Sequence, residues 1–283
     1  MIRSTKNLVF TVTHGRTGTT MLTEVFKIFD DTRSEHEPEP NYATFLPRVK
    51  ADPRHALKFL EGKLNHIESI RESNYVETSN VFGKGFLIPL LRMGVFPGLI
   101  FLNRDFRETA KSLYKRGSTP MRTTRGSHYS SDPRVPGSLP LFLPDELSDY
   151  QLCFWGVLDS YYRQLQAKDI YDQEGGVYSW VTADDFHDFN HTLSVGHRFG
   201  LRAKHVEVAR RMHAEVVGRH HNPNKGGRSS EGMEFTEPEI EVLDRVSFYS
   251  PRFIDAVLSS DFIASDVVSR IQGVVQDEVH DRG

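Results

Sequence analysis

The sequence predicts an α/β fold with a central parallel sheet, flanking helices, a strand–loop–helix unit at the N-terminus and a mainly helical C-terminal part. Short apolar segments typical of buried strands alternate along the chain with segments of helical periodicity. Hydrophobic residues make up 38% and aromatic residues 11% of the chain, enough for a sizeable core. The chain contains no internal repeat or low-complexity tract, so we expect one domain over residues 1–283.

The N-terminal unit begins with the apolar run Asn7–Thr13, which predicts a buried strand. A turn rich in Gly and Thr follows. Apolar residues then recur at helical spacing at Met21, Leu22, Val25, Phe26 and Phe29.

The later elements follow from the same criteria. Further strands are predicted at 34–37, 75–78, 99–103 and 177–182. Further helices are predicted around Leu57–Ile67, after Asp105, over 145–168, and from Thr236. Residues 117–144 hold five prolines and form the longest irregular stretch, which is typical of a binding loop or lid.

Composition limits the classes of function. The chain has 38 acidic and 35 basic residues, a net charge of −3, which disfavours a nucleic-acid-binding protein. Cys153 is the only cysteine, so no disulfide forms within the chain. The most apolar stretch, 86–102, is interrupted by Pro89, Arg92 and Pro97, which disfavours a membrane span. We therefore expect a soluble cytoplasmic protein that binds neither membrane nor nucleic acid.

The turn after the first strand is a candidate anion site. Glycines let the backbone approach an anion, and helix N-termini attract negative charge. The charge and donors come from Arg16 and the Thr17, Thr19 and Thr20 hydroxyls. The turn is no Walker A loop, because Gly18 is followed by Thr19 and the motif's Lys is missing, which disfavours a kinase. A ligand-free turn remains the alternative.

A second cationic segment follows the strand 99–103. The strand ends at Arg104, and Ser112 lies eight residues later within the next helix. Residues 104–134 contain eight Lys and Arg but three Asp and Glu, a local charge of +5 in a slightly acidic chain. This excess indicates a second anion-binding position.

These two segments resemble the motifs of sulfotransferases that use 3′-phosphoadenosine 5′-phosphosulfate (PAPS), more in the bacterial and Golgi-type pattern than in the cytosolic one. The six-residue match to the family's phosphosulfate loop comprises Gly15, Arg16, Thr17, Gly18, Thr19 and Thr20. The resemblance implies that this loop holds the 5′-phosphosulfate, and that Arg104 and Ser112 hold the 3′-phosphate.

The resemblance extends in family order from Val9 to about Arg228. The further matching segments are 36–38 (HEP), 75–82, 181–186, 199–201 and 224–226. The match at 224–226 implies that Lys225 contacts the 3′-phosphate. Arg228 supplies the charge that is missing because Asn224 replaces the family's Arg.

Two residues depart from parts of the family. Arg16 stands where cytosolic members have Lys. An arginine keeps its proton, so it would stabilise the leaving phosphate through charge and hydrogen bonds. Glu77 stands where N-sulfotransferases have Lys, so their acceptor chemistry is not transferred to this chain.

The resemblance also implies that Glu37 is the general base. It follows a predicted strand, and ligands of parallel sheets gather at the carboxyl ends of strands. Pro38 is expected to keep Glu37 extended. His36, with a better intrinsic pKa for a base, Glu35 and Glu77 are alternatives.

The predicted function is transfer of a sulfuryl group from PAPS to a hydroxyl, or less readily an amine, of a small-molecule or saccharide acceptor. The product is 3′-phosphoadenosine 5′-phosphate (PAP), and no metal is required. Residues 117–144 shape the acceptor site, where Arg122, Arg125 and His128 favour an anionic acceptor. Alternatives are a kinase-like nucleotide-dependent transferase and an inactive PAPS-binding module. A homo-oligomer is compatible with the sequence.

Overall fold

The computed structural model describes residues 4–203, 205–219 and 227–280, with side chains up to residue 273. The strands are β1 (Asn7–Thr13), β2 (Thr32–Glu35), β3 (Asn74–Glu77), β4 (Gly98–Asn103) and β5 (Tyr178–Thr182). The helices are α1 (Thr19–Val25), α2 (Tyr42–Ala51), α3 (His55–Ser69), α4 (Leu87–Arg92), α5 (Phe106–Lys115), α6 (Thr124–Tyr129), α7 (Asp149–Glu174), α8 (Phe189–Arg198), α9 (Val206–Val217), α10 (Thr236–Ser247), α11 (Pro251–Leu258) and α12 (Ser265–His280).

The five strands form one sheet in the order β2-β3-β1-β4-β5, and every pair is parallel. This confirms the predicted fold class. β1 lies between β3 and β4, with Val9 opposite both Val76 and Gly98. The chain therefore continues from β3 to the other side of β1, a change of direction at which α/β sheets commonly bind ligands.

Side chains of the central strands alternate between two cores, one on each face of the sheet. In β4, Leu99 and Phe101 pack in the core that contains residues of α2, α3 and α4. Ile100 and Leu102 pack in the opposite core, with residues of α1, α8 and α9. Burial on both faces explains why these strands are continuous apolar runs.

The C-terminal helices pack on α5 and α7, as the predicted helical C-terminal part requires. Glu239 in α10 is buried, and it accepts hydrogen bonds from Arg107 of α5 and Tyr150 of α7. Burial of a carboxylate is tolerated because these partners satisfy it. No helix in the part of the chain that the structure describes has the length and apolar character needed to cross a membrane.

Several segments differ from the sequence prediction. β2 ends at Glu35, not residue 37, because the chain turns before the proline-rich loop. The long helix predicted from residue 145 begins at Asp149, where Ser148 and Gln151 form a capping box. The stretch 117–144 is not wholly irregular, since it contains α6.

Candidate active site

All five strands contribute lining residues to a cleft of about 870 Å³ at the carboxyl edge of the sheet, mostly through the turns that follow them. β3 contributes Asn80, β4 contributes Arg104, and β5 contributes Ala183. The turns after β1 and β2 contribute residues 14–18 and 36–37.

The turn after β1 keeps an unusual backbone. Arg16 has φ 79° and Gly18 has φ 107°, both in the left-handed region. A Cβ at Gly18 would lie 2.8 Å from the Ala183 Cβ, so the turn approaches the end of β5 closely. The Thr17 hydroxyl, expected to serve a ligand, donates to the His14 carbonyl oxygen at 2.9 Å and so stabilises the turn itself. Strain of this kind typically accumulates at functional sites.

The two predicted anion positions adjoin one another. Arg16 Nε donates to Ser112 Oγ at 3.0 Å, and Arg104 Nη1 donates to the Arg16 carbonyl oxygen at 3.3 Å. Burial, then the charges of Arg116 and Arg104, lowers the pKa of Arg16. Arg16, Arg104 and Arg116 line the cleft, whereas Ser112 is buried behind them and is not among the described lining residues. We call these four residues the arginine side of the cleft. An anion bound here would offset the repulsion among its cations.

Of the last two predicted contacts to a 3′-phosphate, Lys225 and Arg228, the structure describes only Arg228. Lys225 lies outside the described residues. Arg228 forms an ion pair with Asp149 and lies over the Tyr114 ring, and it is not among the described residues that line the cleft. Its role in binding the nucleotide stays a prediction.

Glu37 lines the cleft in a conformation that the sequence did not predict. Its φ is 48°, so the expectation of an extended backbone before Pro38 is wrong. Asn41 Nδ2 donates to the Glu37 carbonyl oxygen at 2.7 Å, and Asn80 Nδ2 donates to the Glu37 carboxylate. These bonds fix the turn and offset the cost of the left-handed conformation. We call His36, Glu37 and Asn80 the carboxylate side of the cleft.

His36 also lines the cleft, and its hydrogen bond defines its tautomer. His36 Nδ1 lies 2.7 Å from the Thr78 carbonyl oxygen, which only accepts hydrogen bonds. The neutral ring therefore carries its proton on Nδ1, which leaves the Nε2 lone pair unprotonated. In this tautomer His36 can accept a proton at Nε2.

The other two candidate bases lie elsewhere. Glu35 pairs with Arg33 at 2.6 Å. Glu77 is fully buried, pairs with Lys63 at 2.9 Å, and accepts from the Tyr75 hydroxyl at 2.8 Å. Burial raises the pKa of Glu77 above its usual range, and Lys63 opposes this shift. Neither carboxylate is among the described residues that line the cleft, so the geometry favours Glu37 and His36.

The segment 117–144 borders the cleft through α6. Arg125 and Tyr129 line it, whereas Arg122 pairs with Asp149 at 2.9 Å and His128 Nδ1 bonds with the Ala43 carbonyl oxygen. Of the three side chains predicted to meet an anionic acceptor, only Arg125 thus faces the cleft.

Two lysines hold the end of α6. Lys50 Nζ donates to the carbonyl oxygens of Ser127 and Ser130, and Lys84 Nζ donates to that of Tyr129. Burial lowers the pKa of Lys84 to about 7. These contacts attach the segment to the rest of the fold.

Sequence reasoning missed His14 and the role of Asn80. His14 is buried and lines the cleft, and its Nε2 has no hydrogen-bond partner among the described residues. Burial, then the Lys84 charge, lowers its pKa well below the usual value. The signal for Asn80 was present in the segment 75–82, but its partner Glu37 lies 43 positions away in sequence. No group of three or more potential metal-binding side chains occurs within the described residues.

Comparison with known proteins finds a likeness among solved structures only. No model of a known protein family matches the chain, and no curated protein matches it significantly. Among solved structures, the chain is similar to a crystal structure of a sulfotransferase from Alicyclobacillus acidocaldarius, with a TM-score of 0.49 and 14% sequence identity. The alignment covers 92% of this chain and 98% of the other.

Proposed function

We propose that the protein transfers a sulfuryl group from PAPS to a hydroxyl of a small-molecule or saccharide acceptor. The observation that carries this proposal is the arginine side, where Arg16, Arg104 and Ser112 meet at the carboxyl edge of a parallel sheet. The nucleotide carries two phosphorylated positions, and these cations suit both. A carboxylate and an imidazole line the same cleft.

The proposed mechanism is an in-line displacement. The acceptor oxygen forms a bond to sulfur while the bond from sulfur to the 5′-phosphate oxygen breaks. Arg16 stabilises the charge that grows on the departing phosphate. Glu37 takes the proton of the acceptor hydroxyl, with His36 Nε2 as the alternative base. The products are PAP and a sulfate ester, and no metal is required.

The acceptor is proposed to bind beside Arg125 and Tyr129, which border the cleft from α6. Glu37, Arg116, Arg125 and Tyr129 all line this cleft, so these groups lie around one space. Arg125 is exposed and suits an acceptor with a negative charge.

Calorimetry with PAP, AMP and ATP tests the proposal. We expect PAP to bind at least about tenfold more tightly than AMP, since a charged hydrogen bond contributes about 1.5–3 kcal/mol. Equal affinities for PAP and AMP would remove the case for a 3′-phosphate site. Preference for ATP would favour the kinase-like alternative, and tight PAP binding without turnover of PAPS would favour the inactive binding module.

A further inference from the structure

Asn80 connects the candidate base to the turn that is proposed to hold the sulfuryl donor. Its Nδ2 donates to Glu37 Oε1, and its side chain lies beside Gly15, where a Cβ would be 3.7 Å from Asn80 Oδ1. Asn80 is almost fully buried and lines the cleft. One amide thus bonds to the turn after β2 and lies beside the turn after β1.

In the hydrogen bond between Asn80 and Glu37, the donor and the acceptor are defined. A carboxylate only accepts hydrogen bonds, so the Asn80 amide must present its NH₂ group to Glu37. An ionised acceptor makes the stronger bond, which gives this contact weight beyond that of a neutral pair.

Asn80 itself is held by a rigid turn. The Thr11 hydroxyl donates to the Ser79 carbonyl oxygen at 2.9 Å, and Ser79 Oγ accepts from the Val81 amide at 3.1 Å. The Lys84 amide donates to the Val81 carbonyl oxygen at 2.8 Å. The backbone on both sides of Asn80 is therefore fixed relative to β1.

We propose that Asn80 is a positioning residue that holds the Glu37 carboxylate at a set place relative to the phosphate-binding turn. This inference rests on the proposed function, in which Glu37 is the base. Glu37 is in a left-handed conformation and has a flexible side chain, so without this bond its carboxylate would sample other rotamers. Loss of orientation at a catalytic group lowers turnover more than binding.

The test compares Asn80→Ala with Asn80→Asp, using labelled PAPS and the acceptor that a screen of sugars and phenols identifies. We expect Asn80→Ala to lower kcat about tenfold or more, with the acceptor KM and the PAP Kd close to those of the unmodified protein. Asn80→Asp should be worse, although it preserves shape, because it places a second carboxylate beside Glu37. Asn190→Asp, an exposed change on α8, is the matched control.

A double-variant cycle with Glu37→Gln decides whether Asn80 acts through Glu37. In the Glu37→Gln background, Asn80→Ala should cause little further loss. Full additivity, or an Asn80→Asp enzyme more active than Asn80→Ala, would overturn the positioning role. If Glu37→Gln alone retains normal turnover, the proposed base is wrong instead, so the two failures are distinguishable.

Discussion

The two sides of the cleft are built differently. The arginine side comes from two continuous stretches, the turn after β1 and the β4–α5 unit, which lie on adjacent strands. The carboxylate side comes from the turns after β2 and β3, and its key bond joins Glu37 to Asn80 across 43 positions. Short motifs therefore reveal the first side, whereas the second depends on how distant segments fold together.

The largest effect is expected at Arg16, if the arginine side stabilises charge that appears during reaction. We expect Arg16→Ala to lower turnover by about 10²–10³, the range for loss of one donor to a developing anion. PAP binding should weaken less, because the contact strengthens as the reaction proceeds. Steady-state kinetics with PAPS and calorimetry with PAP measure the two effects.

Arg16→Lys is the matched control for charge. It should retain part of the turnover, since it keeps the cation but loses the bond that Arg16 Nε donates to Ser112. An Arg16→Ala enzyme with normal turnover and weak PAP binding would assign Arg16 to binding alone.

On the carboxylate side, Glu37→Gln is expected to lower turnover by at least about a hundredfold, the low end for a lost general base. PAP affinity should be unchanged, because the proposed base acts on the acceptor hydroxyl and not on the phosphates of the nucleotide. Glu35→Gln is the control, since Glu35 pairs with Arg33. If Glu37→Gln is nearly normal while His36→Asn is inactive, the base is His36.

The contrast between the sides also explains what the sequence could predict. Alternating apolar segments sufficed for the parallel sheet, and the Arg16 and Arg104 positions followed from local motifs. The conformation of Glu37 did not follow, because Asn41 and Asn80 fix it. Nor did local sequence reveal that Arg122 and His128 turn away from the cleft, since their partners Asp149 and Ala43 are distant in sequence.

Arg104 is expected to affect binding rather than chemistry, which distinguishes it from Arg16. Arg104→Ala should raise the PAP Kd about tenfold or more, the loss expected for one charged hydrogen bond. Turnover at saturating PAPS should stay near normal, because a phosphate that does not react is held equally in the ground and transition states. Arg134→Ala, an exposed change that removes the ion pair with Asp132, is the control. Equal losses of turnover in Arg104→Ala and Arg16→Ala would contradict the separate roles.

The smallest effect concerns stability beside the carboxylate side, where Lys84 is buried. Burial lowers its pKa to about 7, with Asp159 and Glu37 opposing the shift and Arg163 and Lys50 adding to it.

Because the unfolded chain holds the Lys84 proton up to its ordinary, higher pKa, the unfolded state binds more protons than the folded state above pH 7. The free energy of unfolding therefore increases as pH rises above 7, and this increase is lost as pH falls back through 7. Between pH 7 and pH 8 the gain is about 1 kcal/mol relative to Lys84→Met, which cannot titrate. Urea unfolding at pH 7, 7.5 and 8 measures it, with the exposed Lys58→Met as a control that should run parallel to the unmodified protein. Parallel curves for Lys84→Met as well would mean that Lys84 keeps its charge in the folded protein, and that its bond to the Tyr129 carbonyl oxygen is that of an ammonium group throughout this range.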